Sequence, residues 1–214
     1  MAGPERLTLI HIFVDHSNIW GGARGASRLK DPKTPDLSAR VSIRNLNRIL
    51  GGERGGVSTK IVSGGIPPGM EGVWAEYQSH GYDTQRLVRY DNWKERGVDH
   101  TIIGHIWRLL AKYRDASSLL VLASGDGHQN EFGTSFLEIL EEVLDRGRYD
   151  PWQVHLASFD WDYPNDAGLR SPTSSKMKRL IEKRPERAKF INLFEAYDKV
   201  VYHKEWTPLR PETV

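Results

Sequence analysis

The chain contains no cysteine in its 214 residues. Disulfide bonds and cysteine-ligated zinc sites are therefore excluded, and the absence fits a reducing compartment. The first six residues lack the apolar stretch of a signal peptide. No apolar run approaches the ~20 residues that a membrane-spanning helix needs. We therefore expect a cytoplasmic or nuclear protein without a membrane partner.

A large excess of charge of one sign is also absent. The 30 Lys and Arg residues nearly balance the 28 Asp and Glu residues, so the formal net charge is only +2. Net charge alone therefore does not indicate a nucleic-acid partner. The basic residues are concentrated in two stretches, with seven between residues 24 and 48 and seven between residues 176 and 189. Each stretch is either a solvated surface or the flank of a site for a polyanion.

Short β-prone segments alternate with amphipathic segments along the chain. The predicted strands cover residues 7–14, 57–62, 82–88, 118–123, 153–159 and 190–194. The predicted helices cover residues 42–50, 71–80, 97–113, 136–144 and 173–183. Residues 21–40 are rich in Gly, Pro, Ser and basic side chains, and this composition predicts a long loop.

Alternating strands and helices of this kind predict an α/β fold. The expected architecture has three layers, in which helices cover both faces of a doubly wound, mainly parallel sheet. Neither an internal repeat nor a linker is visible in the sequence. We therefore expect a single domain over residues 7–203, with short tails at 1–6 and 204–214.

Three aspartates are predicted to meet at one edge of this sheet. Asp15 and Asp126 each follow an apolar strand, and Asp99 begins the helix after the third strand. Open parallel sheets bind ligands outside the carboxyl ends of their strands, near the point where the strand order reverses. Each aspartate alone is also explained as a helix cap or a turn residue. Their common edge favours a site for a hard divalent cation, with Glu131 as a further acid.

Such a site favours phosphoryl chemistry. A cluster of carboxylates repels itself and a phosphodiester, so it fits this substrate only with Mg²⁺ or Mn²⁺ bound. The ion would polarise the phosphate, lower the pKa of a bound water and stabilise the leaving oxygen. Asn18 is a neutral donor for a water or a phosphate oxygen, and Ser124 is placed to position Asp126 or to contact phosphate.

Three short segments resemble the NYN domain family of the PIN-like ribonuclease superfamily. Residues 15–18 match its opening D-x-S-N motif, and residues 96–99 match its K/R-G-V-D helix start. Residues 124–127 match its S-G-D-G segment, which continues to N-E-F at 130–132 as in eukaryotic members. The motifs follow the family's order, and the series of predicted elements covers nearly the whole chain. The resemblance implies a PIN-like fold, an acidic metal centre and cleavage of RNA.

The resemblance also assigns individual positions. The positions that match the metal-binding and catalytic residues of the family are Asp15, Asn18, Asp99 and Asp126. His105 and His128 stand where many members have further aspartates, so this site has fewer carboxylates than the fullest version. Glu131 is a candidate to compensate for one of them.

The predicted function is that of a Mg²⁺- or Mn²⁺-dependent endoribonuclease acting on single-stranded or structured RNA, as a monomer or weak homodimer. The predicted metal ligands are Asp15, Asp99 and Asp126, and the assisting residues are Asn18 and Glu131. The candidate substrate-binding residues are Ser17, Ser124, His128, Arg24, Arg44, Lys176 and Lys178. The alternative is an RNA-binding module on the same fold with weak or no catalysis.

Two other kinds of site fit the sequence less well. Gly21 to Gly25 follow the first strand, but they lack the G-x-G-x-x-G order of dinucleotide-binding enzymes, and no Walker-type G-K-S/T occurs. A zinc site would need histidines such as His100, His105 and His128 to meet, yet the sequence has neither H-E-x-x-H nor a cysteine ligand.

Aromatic residues in predicted loops have two explanations. These residues are Trp20, Trp93, Trp161 and Tyr163. Exposed rings in loops stack on unpaired bases in many RNA-binding proteins. Loop aromatics more commonly pack on the core as anchors, and we favour this interpretation here.

Overall fold

The computed structural model describes residues 8–65, 72–86, 97–127, 134–145, 149, 151–161 and 168–204. The strands in these ranges are β1 (Leu9–Asp15), β2 (Ala39–Val41), β3 (Val57–Gly64), β4 (Asp83–Arg86), β5 (Ser118–Ala123), β6 (Trp152–Ser158), β7 (Ala188–Asn192) and β8 (Val201–His203). The helices are α1 (His16–Lys30), α2 (Ile43–Ile49), α3 (Gly72–Ser79), α4 (Val98–Lys112), α5 (Phe136–Leu144), α6 (Ser175–Glu182) and α7 (Tyr197–Val200).

Six strands form one parallel sheet in the order β4-β3-β1-β5-β6-β7. The strand order reverses between β1 and β5, because β3 and β4 continue the sheet on one side and β6 and β7 on the other. A doubly wound sheet has its ligand-binding crevice at such a switch point, outside the carboxyl ends of the strands. β2 and β8 form a separate antiparallel pair. The predicted mainly parallel α/β sheet is confirmed.

Buried apolar side chains cover both faces of the sheet. Ile12 and Val14 of β1 belong to a core with residues of α1, α2, α3 and α7. Phe13 belongs to a second core with residues of α4, α5 and α6. Neighbouring residues of β1 enter opposite cores because side chains alternate along a strand. The expected three layers are therefore present, with β1 and β5 at the centre of the sheet.

The prediction of a long loop over residues 21–40 is wrong. The whole of its first half belongs to α1, and a single 3₁₀ turn at Asp36–Ser38 leads into β2. The Asp15 side chain caps the first turn of α1, which lets the helix begin directly after β1. The sequence analysis also missed β2, α7 and β8, which are only three or four residues long and carry little periodic signal.

The glycines of α1 explain why its composition is misleading. A Cβ built on Gly22 would lie 2.7 Å from Phe159 Cδ2, and one on Gly25 would lie 2.7 Å from Trp161 Cη2. Both rings are buried just beyond the end of β6. The absence of side chains at these two positions therefore lets α1 pack closely against the sheet. This tertiary contact outweighs the low helix propensity of glycine.

The other predicted elements are confirmed with small shifts at their ends. Ser42 caps α2 by accepting from the Asn45 backbone N–H at 3.4 Å, and Gly51 ends that helix with a φ of 81°. Ser135 and Glu138 form a capping box at the start of α5. Residues 1–6, 87–88 and 205–214, which include most of the predicted tails, lie outside the described ranges. No helix in the described ranges is long and apolar enough to span a membrane.

Candidate active site

Asp15 is the last residue of β1 and the N-cap of α1. Its side chain turns back toward the helix, and Oδ1 accepts from the Asn18 backbone N–H at 3.0 Å. Only 4% of the residue is exposed. The partial positive charge of the helix N-terminus favours a carboxylate at this place. The strand-to-helix junction thus fixes the carboxylate of Asp15 at the carboxyl end of the central strand.

The hydroxyl of Ser124 connects Asp15 with the loop that contains Asp126. Ser124 directly follows β5, the strand beside β1. Its hydroxyl donates to Asp15 Oδ2 at 3.1 Å and accepts from the Asp126 backbone N–H at 3.3 Å. Ser124 is buried and Asp126 is half-buried. The two aspartates that sequence analysis placed at strand ends therefore flank the switch point.

Asn18 and Ser17 reach the same edge from the first turn of α1. Asn18 Oδ1 accepts from the Gly125 backbone N–H at 2.8 Å. Only the oxygen of an amide can accept a hydrogen bond, so this contact fixes the orientation of the Asn18 amide. Its NH₂ group, which is a donor, faces away from Gly125. Ser17 Oγ accepts from the Gly65 backbone N–H at 3.2 Å. The first turn of α1 thus contacts the chain just beyond both β3 and β5.

The loop after β5 packs tightly against the start of α6. A Cβ built on Gly125 would lie 2.4 Å from Ser158 Oγ and 2.7 Å from the Pro172 carbonyl oxygen. One built on Gly127 would lie 2.5 Å from Ser174 Oγ. Ser174 also donates its backbone N–H to the Gly125 carbonyl at 2.8 Å. These close approaches require glycine on both sides of Asp126. They also place the first turn of α6 beside the switch point.

Asp160 is an acidic residue at this edge that sequence analysis did not single out. It follows β6 by two positions, much as Asp15 and Asp126 lie at or just beyond the ends of β1 and β5, and this placement was the available signal. Its Oδ1 accepts from Ser171 Oγ at 2.9 Å, and its Oδ2 forms a salt bridge with Lys178. The pairing attaches α6 to the end of β6. It also occupies Lys178, one of the predicted substrate-binding cations.

Asp99 lies in the first turn of α4, after the N-cap Gly97, whose φ is 89°. It is half-buried, and α4 packs against β1 and β3. Among the described residues, no group of three or more His, Cys, Asp or Glu side chains is placed to hold a metal ion. Glu131 and His128 lie outside the described residues, so their roles stay predictions.

No protein-family model and no curated protein matches the chain. The NYN likeness therefore stays an interpretation of three short motifs. The structure brings two of them, residues 15–18 and 124–127, into direct contact through side-chain hydrogen bonds. The third begins at Arg96, which lies outside the described residues, and continues into the first turn of α4.

The predicted substrate-binding cations differ in their surroundings. Arg24 donates to Asp36 at 2.9 Å and lies 5.1 Å from the Trp20 ring centroid, so its charge is paired within the fold. Arg44 is exposed on α2, a helix that packs against α3 and α7. Lys176 is exposed in the first turn of α6. Lys176 follows Ser174 by two residues, and Ser174 contacts the loop after β5 through its backbone N–H.

His16 lies directly after Asp15 and is buried beneath the site, with 2% of the residue exposed. Its Nδ1 lies 3.2 Å from the hydroxyl of Tyr77. Burial lowers the pKa of His16 to about 4. Burial, assisted by Tyr82, Glu76 and Asp15, raises the pKa of Tyr77 well above its ordinary value. The pair is therefore uncharged at neutral pH, beside a carboxylate.

The predicted loop aromatics are packed wherever they are described. Trp20 lies in α1 rather than in a loop, and its Nε1 donates to the Ala39 carbonyl at 3.2 Å. Trp161 is buried, and its ring centroid lies 5.6 Å from that of Phe194. Trp93 and Tyr163 lie outside the described residues. The anchor interpretation thus holds for Trp20 and Trp161.

Proposed function

We propose that this protein is a divalent-metal-dependent ribonuclease whose site is the crevice at the carboxyl ends of β1 and β5. The observation that carries the proposal is the Ser124 hydroxyl, which joins the carboxylate of Asp15 to the backbone of Asp126 at the switch point. Ligands of doubly wound sheets bind at this place. Two aspartates there favour a cation and, through it, a phosphate group.

Mg²⁺ or Mn²⁺ fits these residues better than zinc does. Mg²⁺ usually keeps several waters and binds through one or two carboxylates together with substrate phosphates, so it needs no group of three protein ligands. A carboxylate accepts about four hydrogen bonds or metal contacts. The bonds to Asp15 from Asn18 and Ser124 are therefore compatible with a metal-ligand role. When bound, the ion would polarise the phosphodiester and activate a water.

The residues around the two aspartates have distinct proposed roles. Ser124 holds the orientation of Asp15, and the Asn18 NH₂ group donates to a water or a phosphate oxygen. Asp99 would add negative charge from the first turn of α4, and Glu131 is proposed for the same role from the sequence alone. The exposed cations of α6 would attract the RNA backbone by charge. These cations are Lys176 and Arg179, together with Lys183, which directly follows the helix.

Cleavage of a labelled single-stranded RNA in the presence of Mn²⁺ tests this proposal. We expect Asp15→Asn and Asp126→Asn each to lower the rate by about 100-fold or more, the scale of losing a preorganised charge at a reacting phosphate. Asp115→Asn is the matched control, because Asp115 is an exposed carboxylate just before β5, at the opposite edge of the sheet. Equal cleavage by all four proteins would show a contaminating nuclease and would contradict the proposal.

A second candidate is an RNA-binding module without catalysis. It is favoured by the lack of a three-ligand metal group among the described residues. This alternative predicts that the chain binds RNA in EDTA as well as in Mn²⁺, that Asp126→Asn leaves the affinity unchanged, and that no cleavage occurs. The same set of variants therefore separates the two functions.

A further inference from the structure

Trp107 on α4 exposes 38% of its surface and is one of only three large hydrophobic residues exposed in the described ranges. Most of the other tryptophans that are described, such as Trp74 and Trp152, are buried. Burying an indole is strongly favourable, and tryptophan is enriched at the centres of binding interfaces. An indole left open on a regular helix therefore marks a candidate contact surface.

Gly104 lies one turn before Trp107 and leaves bare backbone beside the indole. A Cβ built at this position would meet nothing within 4 Å. The packing of α4 therefore does not require glycine here, and glycine in the middle of a helix lowers its stability relative to alanine. A surface that another molecule approaches closely would benefit from this missing side chain.

The exposed side of α4 is also positively charged. Its exposed residues are His100, Trp107, Arg108, Ala111 and Lys112. None of them is a carboxylate. Arg108 has no salt bridge and no side-chain hydrogen bond with any part of the chain that the structure describes. Gly104, Trp107 and Ala111 follow one another at spacings of three and four, so they lie on one side of the helix beside Arg108.

We propose that this Trp107 surface (Gly104, Trp107, Arg108, Ala111 and Lys112) binds a segment of single-stranded nucleic acid, with a base stacked on Trp107 and a phosphate near Arg108. Stacking on aromatic rings combined with cationic side chains is the way in which proteins hold single strands without sequence preference. The charge of the surface complements a phosphate backbone and would attract an acidic strand.

The helix that carries this surface also carries Asp99, a residue of the proposed site, and in this respect the inference rests on the proposed function. Asp99 lies in the first turn of the same helix, eight residues before Trp107. Eight residues correspond to about 12 Å along the axis of an α-helix. A strand that leaves the crevice over the N-terminus of α4 would therefore reach the indole after a few nucleotides.

Fluorescence anisotropy of a labelled oligouridine tests this surface in EDTA and low salt, with a length of about twelve nucleotides chosen to exceed one stacking site. We expect Trp107→Ala to weaken binding by about 10-fold, the scale of one lost base–ring stack, and Trp107→Phe to retain most of the affinity. Tyr202→Ala is the control, because Tyr202 is an exposed aromatic residue on β8, away from α4.

A second variant avoids the loss of the indole itself. Gly104→Leu fills the open space beside Trp107 and raises helix propensity, so we expect weaker oligouridine binding with no loss of thermal stability. EDTA prevents metal-dependent cleavage, so binding is measured separately from nuclease activity. If Trp107→Ala weakens binding although the native chain shows no nuclease activity, the inference about the surface holds and the proposed function fails. Unchanged affinity in Trp107→Ala overturns the inference, and so does the absence of oligouridine binding by the native chain.

Discussion

The hydroxyl of Ser124 donates a hydrogen bond to Asp15 Oδ2 over 3.1 Å, although the two residues are 109 positions apart in the chain. The same hydroxyl accepts from the backbone of Asp126. One buried side chain thus holds together the ends of the two strands between which the sheet reverses its order. The stability of the fold and the geometry of the candidate site depend on the same atom.

Ser124→Ala tests this double role. The substitution removes the Ser124 donor from Asp15 Oδ2 and the hydroxyl acceptor from the Asp126 N–H, so we expect a loss of about 1–3 kcal/mol in the free energy of unfolding. We also expect slower RNA cleavage. Urea denaturation and the cleavage assay measure the two effects on the same preparation.

Ser118→Ala is the matched control for that substitution. Ser118 is fully buried at the start of β5, and its Oγ has no hydrogen-bond partner among the residues that the structure describes. Removal of its hydroxyl is therefore expected to be neutral or slightly stabilising. If Ser118→Ala and Ser124→Ala lose equal stability, the Ser124 hydrogen bonds have no special importance.

Mn²⁺ is expected to raise the thermal stability of the native protein, because a ligand that binds only the folded state stabilises it. Asp15→Asn should abolish this increase. Asparagine is as good an N-cap as aspartate, so the variant should keep α1, but its NH₂ group cannot accept from Ser124, and its own metal-free unfolding temperature is therefore the baseline for the shift. Differential scanning fluorimetry with and without Mn²⁺ separates the two effects, and an equal Mn²⁺ shift in the native protein and the variant would contradict metal binding by Asp15.

The sheet and the strand-end aspartates were predictable because they depend on local patterns. Continuous apolar strands identified β1 and β5, and parallel strands necessarily bring Asp15 and Asp126 to one edge. The helix α1 was not predicted, because its glycines are explained only by rings more than 130 residues away in the sequence. The exposure of Trp107 was missed for a related reason. Sequence analysis did not single out Trp107, and only the packed structure shows which face of α4 is left open.

The stability of the fold should fall as the pH decreases from about 6.5 toward 4. Burial lowers the pKa of His16 to about 4, whereas in the unfolded chain it keeps its ordinary value near 6.5. Between these values the unfolded state binds more protons than the folded state, so stability is fully present above pH 6.5 and declines below it. The expected loss from this one group is up to about 3 kcal/mol.

His16→Gln removes this titration and keeps a polar partner for Tyr77. We therefore expect a flatter dependence of unfolding free energy on pH in this variant than in the native chain. His80→Gln is the control, since His80 is only half-buried. A native profile that stays flat between pH 6.5 and 4 would show that the His16 ring gains its proton without cost in the folded state.

Two adjacent glycines in α1 provide the sharpest test of its packing. A Cβ built on Gly22 would lie 2.7 Å from a ring atom of the fully buried Phe159, whereas one on Gly21 would meet nothing within 4 Å. Gly21→Ala should therefore raise the free energy of unfolding by about 0.5–1 kcal/mol through helix propensity alone. Gly22→Ala gains the same propensity but forces α1 away from the sheet, so we expect a net loss of about 1–3 kcal/mol. Urea denaturation of the two variants tests this packing. A helix packed against Phe159 predicts changes in unfolding free energy of opposite sign. A flexible loop over these residues predicts the same change for both substitutions, which would contradict the packing.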